Sequence, residues 1–187
     1  MALVLVKETG LGLSTANSYA DASDGDSYHE GHLYATAWTG ATATQKDAAL
    51  VMATRVIDAY VQFNGRRATD SQALQWPRAG CADPDAPSRG LVLRFLGSVS
   101  SGCFDPTVIP AVLVRATCEQ ARLMIAEDLS AAPAGVGLKS SHVGDIVTVF
   151  DVLRPPAVLG RVAAAMLGKL GVVLRDGGQF VVNLGRA

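Results

Sequence analysis

Between Pro110 and Leu129 the apolar residues Val114, Cys118, Ala121, Ile125 and Leu129 recur every three or four positions. That spacing gathers them on one stripe of a helix, and a helix with such a stripe must lay it against another apolar surface. Arg115, Glu119 and Arg122 fall on the opposite side, at spacings that let them pair. Asp105-Pro106 or Pro110 supplies the start, since proline suits a first helical turn. A second segment, Thr44 to Gln62, repeats the pattern with Ala49, Met52, Ala53, Val56, Ile57 and Tyr60, and Phe63-Asn64-Gly65 offers it an exit.

Two shorter helices complete the expectation. Ser23 and Asp26 have the spacing of a capping box, which predicts a helix from Asp24 to Tyr34, weakened by Gly25 and Gly31. Pro155-Pro156 opens the last helix, with Leu159, Val162, Ala163, Met166, Leu167 and Leu170 on one face and Gly171 as its stop. The β signals are brief: a strand at Ala2–Val6, a β-branched run from Asp145 to Phe150, and a C-terminal hairpin. In that hairpin Val172-Val173-Leu174 and Phe180–Leu184 flank an Asp-Gly turn. The predicted class is therefore mainly α, a small bundle of about four helices with short β elements. Residues 1–130 form a helical core holding a long loop, which includes a candidate short helix at Leu91–Leu96. Residues 131–187 hold a linker, strand, helix and hairpin arm.

Hydrophobic residues make up 49% of the chain and charged residues 18%, which indicates a folded protein. Sixteen basic residues against 17 acidic ones leave a net charge of -1, which argues against a protein devoted to neutralising phosphates. Cys81, Cys103 and Cys118 show no CxxC pair and read as ordinary thiols. The first ten residues lack the basic leader and apolar length of a signal peptide, and no run reaches membrane-spanning length.

Catalytic patterns fail one by one. His29-Glu30-Gly31-His32 places its histidines three apart, where a zinc-protease helix needs four. Asp21, Asp24 and Asp26 lack the alternation and closing glutamate of a calcium loop. There is no phosphate-cradling GxxxxGK[ST], no GxSxG elbow, and Gly10-Leu11-Gly12 lacks a third glycine. His142 has no nucleophile beside it. No catalytic residue, metal site or cofactor is expected.

Two stretches carry more information. In QALQWPRAG, Gln72 to Gly80, a tryptophan stands against proline and arginine. Arg66, Arg67 and Arg78 around Trp76 and Phe63 could make a patch where bases stack. Alternatively Phe63, Gly65, Trp76, Pro77 and Arg78 form a structural corner, with Arg78 pairing an acid or capping a helix. Aromatics at only 6% favour the corner. The C-terminal arm, with Leu170, Val172, Val173, Leu174, Phe180, Val181, Val182 and Leu184, is too apolar to stand alone. It pairs either with the strands around Val4 and Ile146 or with a neighbouring chain.

The order Asn17-Ser18-Tyr19, Asp26-Ser27-Tyr28, Trp38, Phe63-x-Gly65-x-Arg67, Gln72-Ala73-Leu74-x-Trp76-Pro77-Arg78, then Ile109-Pro110, Leu138-Lys139-Ser140 and Val143-Gly144 resembles one family across residues 1 to 160. It is the group of small tailed-phage proteins labelled DnaT-like single-stranded DNA-binding proteins, which are similar to head-tail connector (adaptor, head completion) proteins. The tail Leu167–Ala187 has no match in that resemblance. The connector likeness implies a virion protein made in the host cytoplasm and assembled as a ring, typically dodecameric, at the head-tail junction. Its partners would be the portal protein, a downstream tail or neck protein, and duplex DNA passing without sequence specificity, with the arm reaching the portal or a neighbour. The DnaT-like label implies single-stranded DNA binding in phage replication. Near-zero net charge and the absence of a basic groove favour the connector expectation.

Overall fold

The structure, a computed structural model, describes residues 3–86, 102–129, 131, 140–143, 146–149 and 157–174. Five helices and six short strands form among them. The class is mainly α with small antiparallel β pairs, as the periodicity predicts.

Helix α1, Ala22–Glu30, begins two residues earlier than expected because Asp21, not Ser23, is its cap. The Asp21 carboxylate accepts the Asp24 N–H, and the Asp24 carboxylate accepts the Asp21 N–H in return. The helix stops at Gly31, short of Tyr34. A one-turn helix that the sequence did not announce, α2 at Thr36–Thr39, follows and delivers Trp38 to the interior. Gly25 is the slot for that ring. A Cβ there would stand 2.2 Å from Trp38, so its presence in α1 is a packing requirement.

Helix α3, Ala43–Tyr60, is capped reciprocally by Thr42 and Gln45. Asn64-Gly65 does not end it. The chain turns extended at Val61 and runs directly into β1, Val61–Phe63. Gly65, at φ +73°, then reverses β1 into β2, Arg66–Arg67. Only glycine fits that turn, since a Cβ would meet the Ala79 carbonyl oxygen at 2.5 Å. Strand β2 pairs antiparallel with β3, Arg78–Ala79.

Helix α4, Ala111–Ala126, is the central element, and α1, α2, α3 and α5 all pack on it. Because it is covered on several sides, its buried face is wider than the predicted stripe and rotated from it. Leu113, Ala116, Thr117, Cys118, Gln120 and Ala121 are buried, while Val114 and Ile125 are only half-buried. Glu119 is buried as well, not solvated, and its carboxylate accepts from the Arg122 guanidinium at 2.6 Å. Leu129 lies beyond the helix end.

Helix α5 is one short piece, Arg161–Leu167, starting well after Pro156. Leu159, Ala163, Leu167 and Leu170 are buried as expected, but Val162 faces out at 51% exposure. Gly168 is its cap, and Gly171 opens β6, Gly171–Val173, instead of stopping the helix. Strand β6 pairs antiparallel with β1, Val173 opposite Val61 and Gly171 opposite Phe63. The expected partners near Val4 and Ile146 are therefore not used by β6. Ser140–Val143 (β4) and Ile146–Val149 (β5) form their own hairpin, with His142 opposite Val147. The N-terminal strand is replaced by one parallel bridge, Lys7 to Ser18. Leu91–Leu96 and the second half of the arm, with Phe180, Val181, Val182 and Leu184, lie outside the described residues.

Two apolar clusters result, and α4 contributes to both. Tyr19, Ile57, Phe63, Trp76, Leu113, Leu159, Leu167 and Leu170 make the larger, which draws from both sides of residue 130. Ala20, Trp38, Leu50, Ala53, Cys118 and Ala121 make the second. Each fully buried leucine or isoleucine contributes roughly 1.5–3 kcal/mol of hydrophobic stabilisation before its ordering cost.

Candidate nucleic-acid interface

The Gln72–Gly80 stretch folds inward. Trp76 is wholly buried, with Phe63 and Phe104 meeting its ring edge-on at centroid distances of 6.1 and 6.0 Å. The Trp76–Pro77 peptide is cis. Gln72, itself buried, donates to the carbonyls of Leu74 (2.8 Å) and Pro77 (3.0 Å) and accepts the Thr69 N–H (2.9 Å). The stretch is thereby knotted to itself before it meets the core.

Among the described residues Arg78 pairs with no acid and caps no helix. Its guanidinium donates to the carbonyls of Asn64 (2.8 Å), Gly65 (2.7 Å) and Gln75 (3.2 Å), and to the Gln75 side chain (3.2 Å). Those bonds clamp the β1–β2 turn onto the WPR stretch and occupy the donors a phosphate would need. On the other side, the Tyr19 hydroxyl donates to Asp58 and accepts the Trp76 N–H, while the second Asp58 oxygen accepts the Gln75 N–H. Burial pushes the Asp58 carboxyl up to about 6 and holds the Tyr19 hydroxyl well above its usual range.

Of the five groups considered for a stacking patch, three are spent on the interior: Phe63, Trp76 and Arg78. Arg66 and Arg67 are the exception. Both are exposed on β2, and neither side chain donates a hydrogen bond or joins an ion pair among the described residues. They form a small cationic ledge standing on the buried corner. Leu170 of the arm is buried in the core, whereas Val172 and Leu174 are 62% and 46% exposed and Val173 is half-buried.

Some organising residues gave little sequence warning. Glu8 is buried, and its carboxylate accepts the N–H groups of Gly10 (2.9 Å), Gly12 (3.0 Å) and Leu13 (2.8 Å). A glutamate followed closely by two glycines was the only signal. Cys81 and Cys118 are buried, Cys103 is half-buried, and all three thiols are free. Among the described residues no three His, Cys, Asp or Glu side chains converge as metal ligands, and no helix is long and apolar enough to cross a membrane.

Fold and corner together define a small mainly α protein whose WPR segment is part of its core. The chain belongs to the family whose model, described as "Putative DnaT-like ssDNA binding protein", matches residues 1–187. That match includes Leu167–Ala187, so the tail is part of the family's chain and not an addition to it. No curated protein and no solved structure matches the sequence.

Proposed function

We propose that this protein binds single-stranded DNA, through the phosphate backbone and not by stacking bases, and performs no chemistry of its own. Membership of the DnaT-like family over the whole chain carries this reading. The mode of binding follows from the corner. Trp38 and Trp76 are both fully buried, so neither is free to stack on a base. Arg66 and Arg67 remain exposed with their donors unspent, which suits phosphate oxygens. Contacts of this kind are weak, salt-sensitive and indifferent to sequence.

The test is a salt series of binding to a labelled oligonucleotide. Replacing both arginines by alanine should weaken binding at every sequence and reduce the slope of log affinity against log salt by about 1.4, roughly 0.7 for each single-strand phosphate no longer neutralised. Equal binding by the double variant would remove the ledge from the account.

A second reading, the ring-forming head-tail connector, is favoured by a separate observation: Leu33 and Tyr34 stand 90% and 76% exposed, as apolar residues awaiting a protein partner do. In that reading the subunit sits in the virion below a portal, with a tail or neck protein beneath, and the ledge meets passing duplex. Mass spectrometry of purified, nuclease-treated particles discriminates the two. Presence near the copy number of the portal supports the connector, and absence despite expression leaves the single-strand reading alone.

A further inference from the structure

Next to the cationic ledge lies an acid that phosphate binding does not itself require. Asp58 stands half-buried in the last turn of α3. Both of its carboxylate oxygens are engaged, one accepting from the Tyr19 hydroxyl and the other from the Gln75 N–H at 3.1 Å. The C-terminal end of a helix is the negative end of its dipole, so an ionised acid is poorly placed there. Removal from water adds to this and raises the carboxyl from 3.8 to about 6, against the opposing effect of the two donors.

A short chain of contacts joins this acid to the ledge. Gln75, whose N–H holds Asp58, also receives the Arg78 guanidinium on its carbonyl and its side-chain oxygen, each at 3.2 Å. Arg78 on β3 is paired across the strands with Arg67 on β2. Arg66 and Arg67 are neighbours on one strand, so their side chains leave it on opposite faces. Arg67 is the ledge residue whose charge reaches Asp58. The groups that act on the acid are thus Tyr19 from the segment before α1, Arg67 from β2 and Arg78 from β3, and Arg78 also faces the Cys81 thiol.

We infer that Asp58 is a proton-operated control on the ledge: ionised, it competes for the charge of Arg67 and repels an incoming phosphate, whereas protonated it leaves that charge to the phosphate. The inference rests on the phosphate-backbone reading and adds its regulation. Linkage makes the effect reciprocal. A phosphate bound at Arg67 opposes ionisation of Asp58, so DNA taken up by the ledge brings a proton with it. Affinity is therefore greatest below about pH 6, where Asp58 is protonated with or without DNA. It falls as pH rises above that point and levels off once the acid is ionised in the complex as well.

The test is the affinity of the full chain for a labelled single-stranded oligonucleotide, measured at one low salt concentration from about pH 5 to about pH 8. The wild type should bind roughly three- to tenfold more tightly at the acid end. Asp58→Asn, neutral throughout, should keep the acid-end affinity at the alkaline end and so bind better there than the wild type. A variant that was only destabilised would bind worse. Arg66→Ala and Arg67→Ala should both lose affinity, but only Arg67→Ala should also lose the pH dependence, a comparison that stands even if Asp58→Asn does not fold. A wild type with level affinity across the interval would overturn the inference. So would an Asp58→Asn or an Arg67→Ala variant that kept the full pH dependence. Absence of binding at every pH would remove the DNA-binding reading, and the inference with it.

Discussion

Trp76 supports two structures at once, since its ring fills the larger core cluster while its backbone N–H binds the Tyr19 hydroxyl. Trp76→Ala should therefore cost about 3–5 kcal/mol of stability, read from chemical denaturation, because so large a cavity cannot collapse fully. A loss below about 1 kcal/mol would contradict its place in the core. Asp58 gives the same corner a pH signature. Its carboxyl is raised from 3.8 to about 6, chiefly by burial, despite the donors Tyr19 and Gln75 and the positive charges of Arg67 and Arg78. The folded state thus holds this proton more tightly than the unfolded chain does. Its stabilising contribution is complete below pH 3.8, declines as pH rises towards about 6, and is flat above. Asp58→Asn should remove that decline from a series of melts across the interval. An unaltered pH profile in the variant would assign the slope to other groups. None of these partnerships was legible in the sequence, where Tyr19, Asp58 and Trp76 are far apart and Arg78 looked free to meet an acid or a phosphate.

At the scale of elements, what could be read was what is long and periodic. Helices α3 and α4 repeat their apolar residues over several turns, so their presence was plain, and only their ends and the rotation of α4 differed. The α4 face departs from the expected stripe because a single stripe assumes a single partner, whereas this helix is wrapped by four others. Short elements were less visible. Strands β1 and β6 are three residues each, and their pairing joins Val61 to Val173 across most of the chain. No local pattern announces such a contact. It does change the meaning of the C-terminal arm, since Leu170 and β6 belong to the subunit itself. Cutting the chain before Gly171 should strip β1 of its partner and lower the thermal midpoint. Cutting after Leu174 keeps that pair and should leave the midpoint above that of the shorter truncation. Equal midpoints for the two truncations would mean that the β1–β6 pair contributes nothing to stability.

For the whole molecule, net charge and architecture point the same way. A chain at -1 with one exposed arginine pair can hold a phosphate backbone only lightly. Both tryptophans are committed to the core, while the exposed large apolar residues are scattered over the described surface, Leu33 and Tyr34 being the most exposed. The candidate site was half legible: Arg66 and Arg67 stood out in the sequence, but so did Phe63, Trp76 and Arg78, which the fold consumes. The most direct measurement follows from that division. Labelled single-stranded DNA is titrated with the full chain at low salt, its anisotropy and the protein's tryptophan emission being recorded together. Anisotropy should rise and salt should reverse the rise, with tryptophan emission unchanged at saturation because both rings are sealed from the bases. No rise at low salt, or a rise accompanied by quenching, would contradict it.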